Sequence, residues 1–441
     1  MTPEQFVTKL YDTALQAGIK EFSVVYGCGS SNRIDVYDGK VSNRRNNEGQ
    51  GVSLSVKCGK NIGSFACEEL NEELIPLMVK EAKENAELIN AEEENFFHDG
   101  SGEYKKALKY KPLPEFSKLD KEKYLLEVEK SCYQIDKRVK KVISLYIADG
   151  KSSSIMKNSL GLDLKDDSEY AYAVLYLSAE ENGVTKTGSE IILFDKKEDF
   201  TPLNLAKAAV EKAVGRLQAA NIKSGKCKIV FENKTFADFL ETIAGIFSAN
   251  SVQEKRSQLV GKIGEVIASP IVTMIDNPLL ENGYNTRSYD SEGYPSDKHE
   301  VIKGGVLKMF LHNLRTAKKD GVASTGNGSG GRGISFSNFY LDKGNFSKDD
   351  VLAKAGDGVY LTDLNGLHAG YSSVSGNFSF GAEGFIIENS KLGKALNQIT
   401  VSGNVYRLLK DIEALGNDLE FTHNGFGAPT VLIKELAISN E

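Results

Sequence analysis

After residue 225 this chain changes character: glycine becomes frequent, proline and asparagine join it, and runs of strand-forming residues shorten. A stretch of this kind brings backbone close to backbone and turns through positive φ, which glycine does at little steric cost. It predicts a large mixed or barrel-like sheet. Residues 226–231 read as a strand feeding a helix over 235–249, with Thr235 as N-cap and Asp238 as its matching acid. From Val266 onward the pattern is mostly β, with helices near 347–355 and 404–414. In 371–385, small and aromatic residues alternate with glycine, the kind of strand to which an extended peptide adds.

The first half reads differently. Residues 3–17 carry Phe6, Leu10, Ala14 and Leu15 at helical spacing, with Thr2 as N-cap, Pro3 in the first turn and Gly18 as a stop. Strands follow over 21–26 and 33–37, and Asp38-Gly39 supplies a tight turn back into Val41. A second hairpin spans 51–57 and 61–66, and a long amphipathic helix over 69–88 closes the unit. The series then repeats as a helix over 119–135, strands over 141–148, 152–157, 170–178 and 186–193, and a helix over 203–219. Between the two units, 90–118 is polar and punctuated by Pro and Gly, as in a linker or surface excursion.

The predicted class is therefore α+β: two N-terminal helix-sheet-helix units followed by a Gly-rich, mainly β C-terminal domain. The expected boundaries are 1–90, 91–118 (linker), 119–221 and 222–441. With 441 residues and 40% hydrophobic content, the chain can bury a core of that size. A formal charge of −7 argues against sequence-independent nucleic-acid binding, which needs clustered Lys and Arg. Neither a signal-peptide pattern nor an apolar run of membrane-spanning length is present, so a cytoplasmic protein is expected. The five cysteines (Cys28, Cys58, Cys67, Cys132 and Cys227) form an odd set without Cys-x-x-Cys and read as reduced thiols.

Ordered strings in the second half carry a family resemblance. They are Gly264-Glu-Val-Ile-Ala-Ser269, Asp290-Ser-Glu-Gly293, Gly304-Gly305-Val-Leu-Lys308, Ser324-Thr-Gly-Asn-Gly328, Ile387-Glu-Asn389, Ser402-Gly-Asn404 and Gly416-Asn-Asp418. The chain resembles the TldD/PmbA family, also called modulators of DNA gyrase, whose catalytic members hold zinc with His-Glu-x-x-x-His on a helix. By that resemblance Leu240 and Gly245 stand where the two histidines would be, and Glu241 alone is kept. The late cysteine of catalytic members is also missing from 421–429. The resemblance thus implies a PmbA/TldE-type subunit with no catalytic or metal residue of its own and no cofactor. Its implied partner is a TldD-type zinc subunit, and the pair would act on extended peptides.

The remaining motifs weigh little toward chemistry. His98, His299, His312, His368 and His423 share no metal-ligand spacing. Gly326-Asn-Gly328-Ser-Gly-Gly331 matches G-x-G-x-x-G, but a strand-like run follows it where a dinucleotide site needs a helix. It reads better as a loop beside a cleft, with Asn327, Ser329, Arg332 and His368 as candidate peptide contacts. Glu241 reads as an ordinary helix carboxylate, with peptide contact as the alternative. Two rival readings stay open: a homodimeric peptide-binding protein without proteolytic activity, and an independent hydrolase using unrecognised residues.

Overall fold

A computed structural model describes residues 1–330 and 333–440. Helix α1 (Pro3–Gln16) starts as its sequence dictates: Thr2 and Gln5 exchange side-chain and backbone hydrogen bonds in a capping box ahead of Pro3. Strands β1 (Phe22–Tyr37), β2 (Lys40–Cys58) and β3 (Asn61–Cys67) follow, and helix α2 (Ile75–Leu88) closes the unit. The second series comprises α3 (Lys121–Ile135), β4 (Val139–Asn158), β5 (Asp163–Glu181), β6 (Val184–Ile192) and α4 (Pro202–Gly215).

These strands make one six-stranded sheet in the order β3-β2-β1-β4-β5-β6. The join is the antiparallel β1–β4 ladder, running from Ser23↔Asn158 to Asp35↔Tyr146. Breaks expected near 27–32 and 149–151 do not occur. Both stretches run through the sheet with partners on either side, as in Gly27↔Gly51 and Gly27↔Ser154. The ladder bonds of two neighbours override the weak strand propensity of Gly, Ser and Asn. Each helix pair covers its own end of the sheet. Leu10, Leu54 and Met78 anchor one apolar cluster, and Leu125, Leu175 and Val210 anchor the other.

Residues 91–118 form a strap tied to both halves. The Tyr104 hydroxyl donates to the Gly293 carbonyl at 2.8 Å, and the Asn282 amide donates to the Leu108 carbonyl at 2.9 Å. Lys109 pairs with Asp166, and the Tyr110 hydroxyl donates to the carbonyls of Ala171 and Leu193.

The second half contains β7 (Gly225–Phe231), α5 (Asn233–Ile243), α6 (Ala249–Gln253), β8 (Met274–Asp276), β9 (His299–Lys303), β10 (Val306–Leu307) and α7 (Leu314–Asp320). It continues through β11 (Phe339–Leu341), α8 (Lys348–Ala355), β12 (Gly358–Asn365), β13 (Asn377–Glu388), β14 (Lys391–Ala395) and β15 (Ile399–Asn404). The last elements are α9 (Val405–Leu408), β16 (Ile412–Leu415), β17 (Glu420–Phe421), β18 (Phe426–Ala428) and β19 (Val431–Asn440). One sheet runs β12-β7-β19-β15-β13-β14 and closes on itself through β12–β13 pairing. The other runs β10-β9-β8-β11-β18-β17. The largest apolar core of the molecule fills the space around α5, between these sheets.

Three local expectations are corrected. Helix α5 begins at Asn233 with Glu232 in the cap position and no side-chain cap, while Thr235 is buried in the first turn. It stops at Ile243 and passes into a 3-10 turn, Ala244–Phe247, before α6. The helix expected over 404–414 is only α9, because Ile412–Leu415 pairs with β19 instead. Finally, β13 is hydrogen-bonded to β12 on one side and to β14 and β15 on the other, and residues 370–372 bond to 377–379 where β12 ends. Residues 377–385 therefore have no free edge to which a peptide could add.

Barrel closure depends on a backbone contact only glycine permits. Gly384 lies opposite Leu361, and a Cβ there would fall inside the van der Waals radius of the Tyr360 carbonyl oxygen. Gly384→Ala is expected to lower unfolding stability by about 2–3 kcal/mol in denaturant titration.

Candidate functional site

Helix α5 divides its residues by the helical repeat. Phe236, Phe239, Leu240 and Ile243 enter the core, while Asp238, Glu241 and Thr242 stay outside it. Leu240 is completely buried among apolar neighbours. Gly245 is exposed in the 3-10 turn that follows. The hairpin of β17 and β18 packs beside α5, and its turn brings Asn424 to the helix. The Asn424 Nδ2 lies 3.1 Å from each carboxylate oxygen of Glu241. The helix and the 421–425 turn thus meet, but through an amide and a carboxylate.

A zinc ion requires three or four N, S or O ligands at about 2.0–2.3 Å. Leu240 offers no donor and points into the core, and Gly245 has no side chain. Among the described residues, no three His, Cys, Asp or Glu side chains converge to hold a metal. The donor set at α5 does not fit the metal of a catalytic member.

A cleft of about 510 Å³ opens beside this meeting point, between β6 and α4 on one wall and α5 and β17 on the other. Its electrostatics are dense. Asp238 faces the cleft, and the surrounding protein together with Glu241 and Asp363 pushes its carboxyl up to about 7, against the pull of Lys234 and Lys212. Burial would also raise Glu190, but Lys212 at 2.7 Å and Lys234 at 3.4 Å hold it below the ordinary carboxylate range. Crowding by protein lowers the His423 imidazole, opposed by Glu241, which favours the neutral ring. Behind this wall buried Arg216 reaches Glu383 at 2.8 Å and Asp363 at 3.3 Å, and Lys186 reaches Glu383 at 3.2 Å. These pairs lock the N-terminal sheet to the barrel and fix the cleft's width.

The sequence-chosen loop lies elsewhere. Asn327 is fully buried, and its Nδ2 donates to Asp276 and the Ser335 carbonyl, both at 2.8 Å. Its amide is committed to holding the loop. Ser329 is exposed, and its neighbour Gly330 lines a separate cavity of about 400 Å³ with Glu292 and Arg315. Burial pushes the Glu292 carboxyl up to about 7, although it accepts a hydrogen bond from the Leu314 amide at 2.8 Å. His368 is exposed in the turn between β12 and β13 and lines neither cavity. Arg332 lies outside the described residues.

Sequence reasoning missed the cleft residues Asp238, Glu190, Lys212 and Lys234. Asp238 carried a usable signal, since it precedes Glu241 by three positions and so shares its helix face. Glu190 and Lys212 come from the other half of the chain, and no local pattern joins them to α5.

Residues 224–440 match the model of the PmbA/TldA metallopeptidase C-terminal domain, and residues 111–217 match that of its central domain. The chain belongs to the PmbA/TldD metallopeptidase family. Among PmbA/TldD relatives, a metalloprotease of Methanocaldococcus jannaschii is 28% identical over 412 residues, 89% of each chain. A metalloprotease PmbA homolog of Buchnera aphidicola is 26% identical over 312 residues, covering 70% of this chain and 68% of its own. A Thermotoga maritima protein solved under the modulator-of-DNA-gyrase designation superposes with a TM-score of 0.92 at 30% identity, over 99% of this chain and 100% of its own. TldE from Thermococcus kodakarensis shares the fold, with a TM-score of 0.86 at 21% identity over 99% of this chain and 100% of its own. No helix among the described residues is long and apolar enough to cross a membrane.

The raised Asp238 carboxyl has a pH signature. Its proton is bound more tightly in the folded chain than in the unfolded one, where the ordinary value is 3.8. Its contribution therefore favours folding at low pH and is lost as pH climbs from about 4 toward 7. Asp238→Asn should flatten that part of the stability profile, and NMR titration of the wild-type carboxyl should show a midpoint near neutrality.

Proposed function

We propose that this chain is the non-zinc-binding, PmbA/TldE-type subunit of a TldD/TldE-type metallopeptidase complex, acting as scaffold and peptide-binding wall beside a zinc-bearing TldD-type subunit. The observation that carries this reading is the state of helix α5. One ligand position is a core leucine, the other is a glycine, and Glu241 is engaged by Asn424. A carboxylate held by an amide has no metal-bound water to activate.

The cleft supports the choice of an extended peptide as ligand. Residues 189–192 of β6 line it, and among the described residues β6 pairs with no strand but β5; the Ser189 carbonyl already accepts from Lys212 at 3.1 Å, so Glu190–Ile192 is the stretch of this edge left for strand addition. An extended chain can add there by main-chain hydrogen bonds while Asp238 and His423 meet its side chains. Strand addition is thus assigned to β6 in place of 371–385. Ser329 and His368 remain proposed as outlying peptide contacts, and Arg332 with them.

The test is native mass spectrometry with metal analysis and a peptidase assay on unfolded peptides, for the chain alone and with a TldD-type partner. The lone chain should carry no stoichiometric zinc and cleave nothing, and the pair should cleave in a chelator-sensitive way. Zinc-dependent cleavage by the lone chain would sink the proposal. Leu240→His with Gly245→His should restore neither zinc nor activity. It should also destabilise the fold by about 2–4 kcal/mol, since an imidazole replaces a fully buried leucine.

A further inference from the structure

The cavity of about 400 Å³ beside Glu292 is not used by the peptide cleft, and the two share no lining residue. It lies between the N-terminal sheet and the second half. The sheet contributes Val25, Ile62 and Met156, the strap contributes Phe96 and Phe97, and the second half contributes Glu292 and Arg315. Small-ligand pockets collect at such junctions, where an apolar lining surrounds a few convergent polar groups.

The two charged groups keep bonding capacity that the protein does not use. Arg315 is 8% exposed, and it gives one N–H to Glu93 and one to Asn250, the latter at 2.6 Å. Its Nε has no hydrogen-bond partner among the described residues. Glu292 spends one carboxylate oxygen on the Leu314 amide at 2.8 Å, and among the described residues its other oxygen accepts no hydrogen bond. A Cβ on Gly328 would strike the Glu292 carboxyl, so that glycine is what lets the side chain lie here. Burial raises the Glu292 carboxyl, the Leu314 amide opposes the rise, Asp290 adds to it, and Arg315 is the smallest opposing influence. Arg315 is turned to Glu93 and does not neutralise Glu292. A cation beside that carboxyl would, since a buried polar group without a partner is costly.

A carboxyl and a guanidinium that face one apolar cavity without bonding to each other match the two ends of a zwitterion. We infer that this cavity binds a free apolar α-amino acid, its ammonium donating to Glu292, its carboxylate accepting from Arg315, and its side chain lying against Val25, Ile62, Phe96 and Met156. The volume lies near the low end of the range for small-ligand sites, which suits one amino acid better than an extended peptide. Because Arg315 also holds Glu93 of the strap, an occupied site ties sheet, strap and second half together. The inference is independent of the peptidase-subunit reading, since it uses no residue of the cleft or of α5.

Isothermal titration calorimetry of the full chain with L-leucine should show a single site with Kd below about 1 mM, and the melting temperature should climb with leucine concentration. Isoamylamine, which lacks the carboxylate, and isocaproate, which lacks the amine, should each bind at least about tenfold more weakly. Glu292→Gln keeps an acceptor for the Leu314 amide and removes the charge; without ligand it should melt no lower than the wild type, and it should bind leucine at least about tenfold more weakly. Val25→Phe, which fills the cavity from the sheet, should abolish binding. The proposal is overturned by the absence of both heat and melting shift at about 10 mM leucine, by either analogue binding as well as leucine, or by unchanged affinity in Glu292→Gln.

Discussion

The β1–β4 ladder is the contact on which the N-terminal half depends. Each helix-sheet-helix unit has only three strands and one pair of helices over its own end, a small core for independent stability. Pairing from Ser23 to Asp35 along β4 turns two marginal units into one sheet with a polar middle and an apolar core at each end. It also presents β6 at the far edge, where β6 becomes a wall of the cleft. The Arg216, Glu383 and Lys186 cluster then fixes that wall against the barrel. Such a desolvated ionic cluster adds little net stability compared with an apolar one, but it tolerates few alternative arrangements.

Much of the fold was legible because local signals agreed with the tertiary outcome. Thr2, Pro3 and Gly18 bracket α1, and Asp38-Gly39 turns β1 into β2 at the expected place. The illegible parts are those where long-range pairing overrode local character. Gly27 to Asn32 looks like a loop but lies inside β1, since both neighbours supply ladder bonds. Ile412–Leu415 looks helical but is held by β19. The α5 cap failed as a reading for the opposite reason: Thr235 is an excellent cap residue, yet the core claims its position.

The site was legible to a different depth. The resemblance directed attention to 240–245 and 421–429, and the fold does bring those segments together through Glu241 and Asn424. The charged groups around them were hidden, because they gather from β6, α4 and β12, elements far apart in sequence. Asn327 illustrates the converse. A polar residue in a glycine-rich loop invites a binding role, but here the side chain is spent on Asp276 and Ser335 inside the protein.

The strand order of the barrel bears on how the chain is made. Strand β7 opens the second half, and its antiparallel neighbour β19 lies about two hundred residues later, the last strand among the described residues, with Ile229 opposite Ile433. During synthesis β7 emerges early and waits, its Ile229, Val230 and Phe231 unpaired on that side, until Val431–Asn440 has been translated. The N-terminal sheet has no such dependence and can form while the rest is still being translated. Barrel closure is then a late event of high contact order, and the nascent second half passes through a period in which its core is open to chaperones or to misassociation.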